Sequence, residues 1–181
     1  MKVNEAITKR RAYRSLEKIE ITDKLIEDLL YHASLAPSCY NKQPWHFIFI
    51  KSPENLKKIF EALPEGNSWA KKTSMIIAVY SKKEDDCVIG EREYYLFDTG
   101  IAVGFLILRA TELNLVAHPI AGYDVNLLKK TLNLENNINL INLIVIGKHS
   151  DKIDDSLSDW QKQQEKQRPI RKKFDDIASL I

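Results

Sequence analysis

Apolar residues recur at three- and four-residue spacing in some stretches of the chain and run together in others, and this alternation predicts the elements. Asn4 is placed to cap a short helix carrying "EAITKRRA", whose basic end falls at residues 9–14. Thr22 caps a clearer one, in which Leu25, Ile26, Leu29, Leu30, Ala33 and Ala36 share a face. Pro37 ends it, because proline lacks the N–H and disfavours helix just before itself. "HFIFIK", 46–51, reads as a buried strand. Ser52 with Pro53 then opens a helix in "SPENLKKIFEAL". "SMIIAVYS", 74–81, is a second strand. Residues 91–114 give the longest helix, and "IAVGFLIL" at 101–108 is apolar on every face, predicting burial all round. "LVAHPIAGY", 115–123, is a third strand ending in a turn, Asp124 caps a short helix through Leu132, and "INLINLIVIGK", 138–148, is a fourth strand.

From Ser150 the chain is polar, with Ile153, Leu157 and Trp160 as apolar anchors before Phe174, Ile177, Leu180 and Ile181. Such a tail is either disordered or lies against another chain. There is no internal repeat, so one domain over 1–181 is expected, with 150–181 as an extension. Helices and strands alternate unevenly, with a long helix at mid-chain, which favours α+β over a doubly wound fold.

The formal charge of +2 gives no support to a polyanion-binding surface, and neither nucleic acid nor membrane is expected as a partner. Cys39 and Cys87 make no disulfide framework, and their spacing points to no metal site. The start has no apolar signal core, and no stretch approaches the roughly 20 apolar residues that span a bilayer. A cytoplasmic protein with reduced thiols is the expectation.

Four stretches carry candidate chemistry. In "KRRAYRS", Arg10 and Arg14 would share a helix face and reach one anion with two guanidinium forks. The bland alternative is a basic helix end complementing the macrodipole. In "LAPSCYNKQPWHFIFI", 35–50, Ser38, Asn41 and Gln43 both donate and accept, which suits a neutral heterocycle, while Pro37 and Pro44 stiffen the loop. Alternatively these side chains only satisfy local backbone. Cys39 has no visible base and reads as a small packed residue. In "HPIAGYD", 118–124, Gly122 permits close backbone approach, and His118 is either an acid–base group or structural. The fourth is the basic "RPIRKKF", 168–174. No G-x-G-x-x-G, P-loop, H-E-x-x-H or G-x-S-x-G occurs, which argues against Rossmann sites, common NTPases, zincins and serine hydrolases.

In order and spacing, "RRAYRSL", "APSCYNKQPW", "PIAGYD" and "RKKF" resemble the FMN-dependent nitroreductase family over essentially the whole chain. The resemblance implies a central, mostly antiparallel sheet of about four strands, a fifth from the partner's tail, flanking helices, and a homodimer with the long helix at its interface. It implies FMN held by Arg10, Arg11 and Arg14, with a backbone contact at Ala12, where the family often has serine, and with Arg168 or Arg171 adding charge. Pro37, Ser38, Cys39 and Asn41 would meet the flavin from the other subunit. Pro119, Ala121 and Gly122 would border the ring, a backbone N–H reaching N5, and Asn67 lies near a ring-binding asparagine position. Some members carry an acid where Ala121 stands. The short "KKEDDCVIGERE", 82–93, falls where relatives carry substrate-covering insertions. The implied activity is ping-pong hydride transfer from NADH or NADPH through FMN to a nitroaromatic or quinone, with no obligatory side-chain acid or base and no metal. Other acceptors (free flavin, a halogenated aromatic), a non-catalytic FMN sensor, and a cofactor-free interaction module are the alternatives.

Overall fold

The computed structural model describes residues 1–181, and its spine is the longest strand, β7 (Asn139–His149). In chain order the other elements are α1 (Val3–Lys9), β1 (Leu16–Glu17), α2 (Asp23–Ser34), β2 (His46–Ile50), α3 (Pro53–Phe60), β3 (Met75–Ser81), β4 (Val88–Ile89), β5 (Arg92–Glu93), α4 (Tyr94–Glu112), β6 (Val116–Ile120), α5 (Val125–Thr131) and α6 (Asp159–Lys166). β7 pairs antiparallel with β3, with β6 and, at Lys148 and His149, with β1, while β2 pairs with β3. The sheet is therefore five-stranded and wholly antiparallel, in an α+β arrangement.

Met75–Val79 of β3 and Leu143–Ile146 of β7 have no exposed surface, because helices cover both faces of the sheet. Ile76, Ala78, Leu143 and Val145 pack under Leu56 and Ile59 of α3, Leu128 of α5 and Trp69 of the 3₁₀ segment Glu65–Lys72. Met75, Ile77, Val79, Ile144 and Ile146 pack under Leu29 and Ala33 of α2 and Val103, Leu106 and Ala110 of α4. Three caps stand where the sequence puts them: Thr22, Ser52 and Asp124 accept from the N–H groups of Leu25, Asn55 and Leu127. Asn4 does not cap α1 but lies inside it, the cap position falling earlier, at Lys2.

Several expectations need correction. α1 stops at Lys9, and Arg10 is extended at φ −54°, ψ 125°, so Arg10 and Arg14 share no helix face. Tertiary contacts override the local preference: Glu165 takes the Arg14 and Ser15 N–H groups, and Leu16 pairs into the sheet. β2 is an edge strand with only Ile50 buried, rather than a buried one. α4 keeps one face open in a single chain, with Leu96 at 48%, Phe97 at 64% and, within the 101–108 run, Phe105 at 40% exposed, so burial all round would take a second chain. The tail begins on its own chain, with Asp154, Leu157 and Glu165 buried, before 166–181 emerges to the surface. Cys39 and Cys87 are not free thiols but a disulfide, 48 residues apart in sequence, a proximity no spacing rule reveals. No helix is long and apolar enough to cross a membrane.

Candidate functional site

Where the chain leaves α1, it runs extended beneath α6, and a cavity of about 410 Å³ opens between the two. Arg10, Arg11, Ala12, Arg14, Arg168 and Arg171 line it, with Trp160 and Gln164 of α6. None of these five arginines has a carboxylate within 4.0 Å; Arg109, which grips Asp28 and Glu112, shows what a paired arginine looks like in this fold.

The five are not equivalent. Arg11 Nη2 donates to the carbonyls of Gln164 (2.5 Å) and Glu165 (3.2 Å) at the C-terminal end of α6. Arg168 Nη2 donates to those of Thr8 and Arg10, both at 2.6 Å, at the end of α1. Both therefore cap helix C-termini, where a cation complements the dipole. Arg10, Arg14 and Arg171 keep their forks free. Burial, then the charges of Arg168 and Arg171, push the Arg10 guanidinium below its ordinary value. Burial does the same to Arg14, which lies 5.3 Å from the Trp160 ring and 5.9 Å from that of Trp69. Unneutralised cations gathered on one wall make a site for an anion with several acceptor oxygens.

A chain of contacts runs from this wall to the turn after β6. Trp69 meets the His118 ring at 4.6 Å, and His118 Nδ1 donates to the Tyr13 carbonyl at 2.9 Å. His118 is 6% exposed, and burial pushes its pKa down to about 4, so it is a neutral structural group rather than an acid–base one. Beyond it, Pro119, Ala121 and Gly122 are exposed, and neither Ala121 nor Gly122 donates its N–H within the chain. Asn67 Nδ2 donates to the Gly122 carbonyl at 2.8 Å, and a Cβ at Gly122 would stand 3.0 Å from that nitrogen, so a larger residue would have to push the amide aside.

The 37–43 loop lies elsewhere. Its residues line no part of the arginine cavity. Ser38 Oγ accepts from the Gln43 N–H and the Gln43 side chain donates to the Asn41 carbonyl, so both side chains serve the loop itself. The Asn41 amide is exposed and unengaged, and Pro37 is exposed beside it. Cys39 donates its N–H to Asp98 of α4 at 2.7 Å. Its sulfur, Cys87 and the Asp86 carboxylate lie within 4.8 Å of one another, but with both sulfurs in the disulfide the cluster offers no thiolate to a metal.

Glu165, Gln164 and Pro169 belong to this site and escaped the sequence reading. The signal for α6 was there: Ser158 and Gln161 form a reciprocal capping box. Nothing in the sequence marks Glu165 itself, whose partners lie about 150 residues away.

A profile of the nitroreductase family matches residues 7–86. A Methanothermobacter thermautotrophicus protein, provisionally named as an NADH dehydrogenase/NAD(P)H nitroreductase, is 33% identical over 117 residues, which are 65% of this chain and 59% of that protein. An iodotyrosine deiodinase of Haliscomenobacter hydrossis is 28% identical over 76% of this chain and 75% of its own. A solved oxidoreductase containing FMN superposes with a TM-score of 0.83, at 26% identity, over 99% of this chain and 91% of that one. This sheet, covered on both faces and edged by an arginine-lined cavity, is the nitroreductase fold.

Proposed function

We propose that the protein is a homodimeric FMN oxidoreductase that takes reducing equivalents from NADH or NADPH. The observation that carries the reading is the arginine cavity. Three guanidinium groups there lack any anionic partner, and Ala12, Trp160 and Pro169 supply the apolar part of its lining, which fits a phosphate on a polyhydroxylated chain. The chemistry supplied by bound FMN is acceptance of hydride at N5, followed in a second half-reaction by its delivery to an electron-poor acceptor such as a nitroaromatic or quinone.

The chain's residues bind, orient and exclude water. Arg10, Arg14 and Arg171 hold the phosphate, while Arg11 and Arg168 fix the helix ends that position them. Ala12 can hydrogen-bond through its backbone only. Pro119, Ala121 and Gly122 border the ring, with free N–H groups to donate to its edge, and Asn67 holds that turn in place. Pro37, Ser38, Cys39 and Asn41 complete the partner's site rather than their own, a reading supported by their distance from the arginine wall and by the exposed apolar row on α4. Localisation in the cytoplasm is part of the same proposal.

The visible spectrum of the purified protein tests it. A flavin band that bleaches under NADH or NADPH in the absence of oxygen is the expected result. A colourless protein that takes up no added FMN would overturn it.

The deiodinase relative favours a second acceptor class, a halogenated aromatic that loses halide on reduction. Halide release from an iodinated phenol, measured beside turnover of a nitroaromatic, separates the two.

A further inference from the structure

The arginine cavity makes no use of the disulfide between Cys39 and Cys87, the molecule's one covalent crosslink. It joins two segments that hold little else in common. Cys39 opens the turn in which Tyr40, Asn41 and Gln43 take φ of 50°, 56° and 50°, the left-handed region that side chains with a Cβ avoid. The Tyr40 side chain is 90% exposed and steadies nothing. Cys87 leads into the β4–β5 hairpin, whose Val88 and Ile89 stand in solvent. Beneath the sulfurs lie two buried carboxylates: Asp98 accepts the Cys39 N–H, while Asp86 accepts the Cys87 N–H through Oδ1 and leaves Oδ2 with no partner.

A strained, exposed loop keeps its shape only while something over-determines it. Besides bonds within the loop, such as Gln43 N–H to Ser38 Oγ, it is tied to the neighbouring elements by one sulfur–sulfur bond and one backbone hydrogen bond to Asp98. We propose that Cys39–Cys87 is a thiol–disulfide switch, operated by small thiols and their disulfides, whose reduction frees the 37–43 loop from the 82–93 segment and loosens its hold on a ligand. The ligand being FMN rests on the proposed function; the switch does not.

Access sets the order of events. Cys39 is half-buried and Cys87 is buried, so an entering thiolate reaches Cys39 Sγ first. A bond forms between it and Cys39, the Cys39–Cys87 bond breaks, and the electron pair leaves on Cys87 Sγ. Burial, and after it the Asp98 carboxylate, pushes the Asp86 carboxyl up, which favours its neutral form beside that leaving sulfur. A second thiol attacks the mixed disulfide and frees Cys39. The sum is one protein disulfide and two thiols giving two protein thiols and one small disulfide, and an excess of the small disulfide drives it back.

The experiment equilibrates the protein, with and without FMN, across dithiothreitol ratios, alkylates free thiols, and counts them by intact mass. Zero alkylated cysteines under oxidising conditions and two under reducing ones, in a single step, are expected. Hydrogen exchange in 37–45 and 82–93 should quicken at least tenfold on reduction, and FMN should bind about tenfold more weakly. Cys87→Ser, which leaves the loop's own sequence intact, should match the reduced protein in both readings. Free thiols in the oxidised protein, or exchange rates equal in the two states, would overturn the switch. If neither state binds FMN, the cofactor reading fails while the thiol count and exchange rates still decide the switch.

Discussion

The buried carboxylate of Glu165 holds the backbone of Arg14: Oε1 accepts the Arg14 N–H at 2.8 Å and Oε2 the Ser15 N–H at 3.1 Å. One residue of α6 thereby aims a cationic side chain it does not pair with. Glu165→Ala removes both charge-assisted bonds and leaves two N–H groups under the surface without partners, a loss of about 2–4 kcal/mol. The expected outcome is a thermal midpoint several degrees lower together with weaker FMN binding, read from a melt and a fluorescence titration of the same sample. An unchanged midpoint would mean that α6 does not hold this segment.

The arginines divide by their partners, so their substitutions should divide as well. Arg10→Gln and Arg14→Gln remove free forks, and each should weaken FMN binding about 10–100-fold, which is about 1.4–2.8 kcal/mol, at little cost in stability. Arg11→Gln and Arg168→Gln remove helix-end cations and should cost about 0.5–1 kcal/mol of stability with a smaller effect on FMN. Urea unfolding and FMN titration of all four separate the classes.

What the sequence made legible were features that local chemistry decides. The caps at Thr22, Ser52 and Asp124 are one-residue statements about the next turn, and the apolar runs at 74–81 and 138–148 read as strands. That the basic residues gather at one place was legible, but for a partly wrong reason. Arg10 and Arg14 converge through an extended segment under α6, not along a helix. The failures are all long-range. The disulfide, Glu165 on Arg14, and Asn67 on Gly122 each join positions dozens of residues apart, and no periodicity encodes them. Ser38 and Asn41 looked alike in the sequence, yet only one of them is occupied locally.

That difference yields a prediction for the loop. Ser38 Oγ accepts from the Gln43 N–H, so Ser38→Ala should cost stability, about 1 kcal/mol, as well as ligand. The Asn41 amide is unengaged, and Asn41→Ala should weaken FMN binding about tenfold while the melt stays in place. Equal effects of Asn41→Ala on both measurements would return it to a merely structural role.

His118 sets an acid limit. Its pKa falls from 6.5 in the unfolded chain to about 4 in the fold, because the ring is buried against Trp69, a shift that the bond from Nδ1 to the Tyr13 carbonyl opposes but does not cancel. The unfolded chain therefore takes up the proton first as pH drops. The stability is fully present above pH 6.5 and is lost progressively toward pH 4, by about 3 kcal/mol in all. His118→Asn, which keeps a donor for Tyr13 and cannot ionise, should flatten that part of the stability–pH curve, as measured by denaturant unfolding at half-unit steps.

The row of Leu96, Phe97 and Phe105 on α4 meets solvent in a single chain, with Leu35 also exposed at the end of α2. If a second copy covers it, Phe97 at 64% exposed should be intolerant of charge in the assembly while indifferent to it in the fold. Phe97→Glu is expected to halve the mass seen by sedimentation and to preserve the far-UV spectrum. It should also reduce FMN binding by tenfold or more, because the loop bearing Asn41 would be withdrawn from the neighbour's arginine wall. A monomer that binds FMN as tightly as the wild type would show that each chain completes its own site, and would refute the shared one.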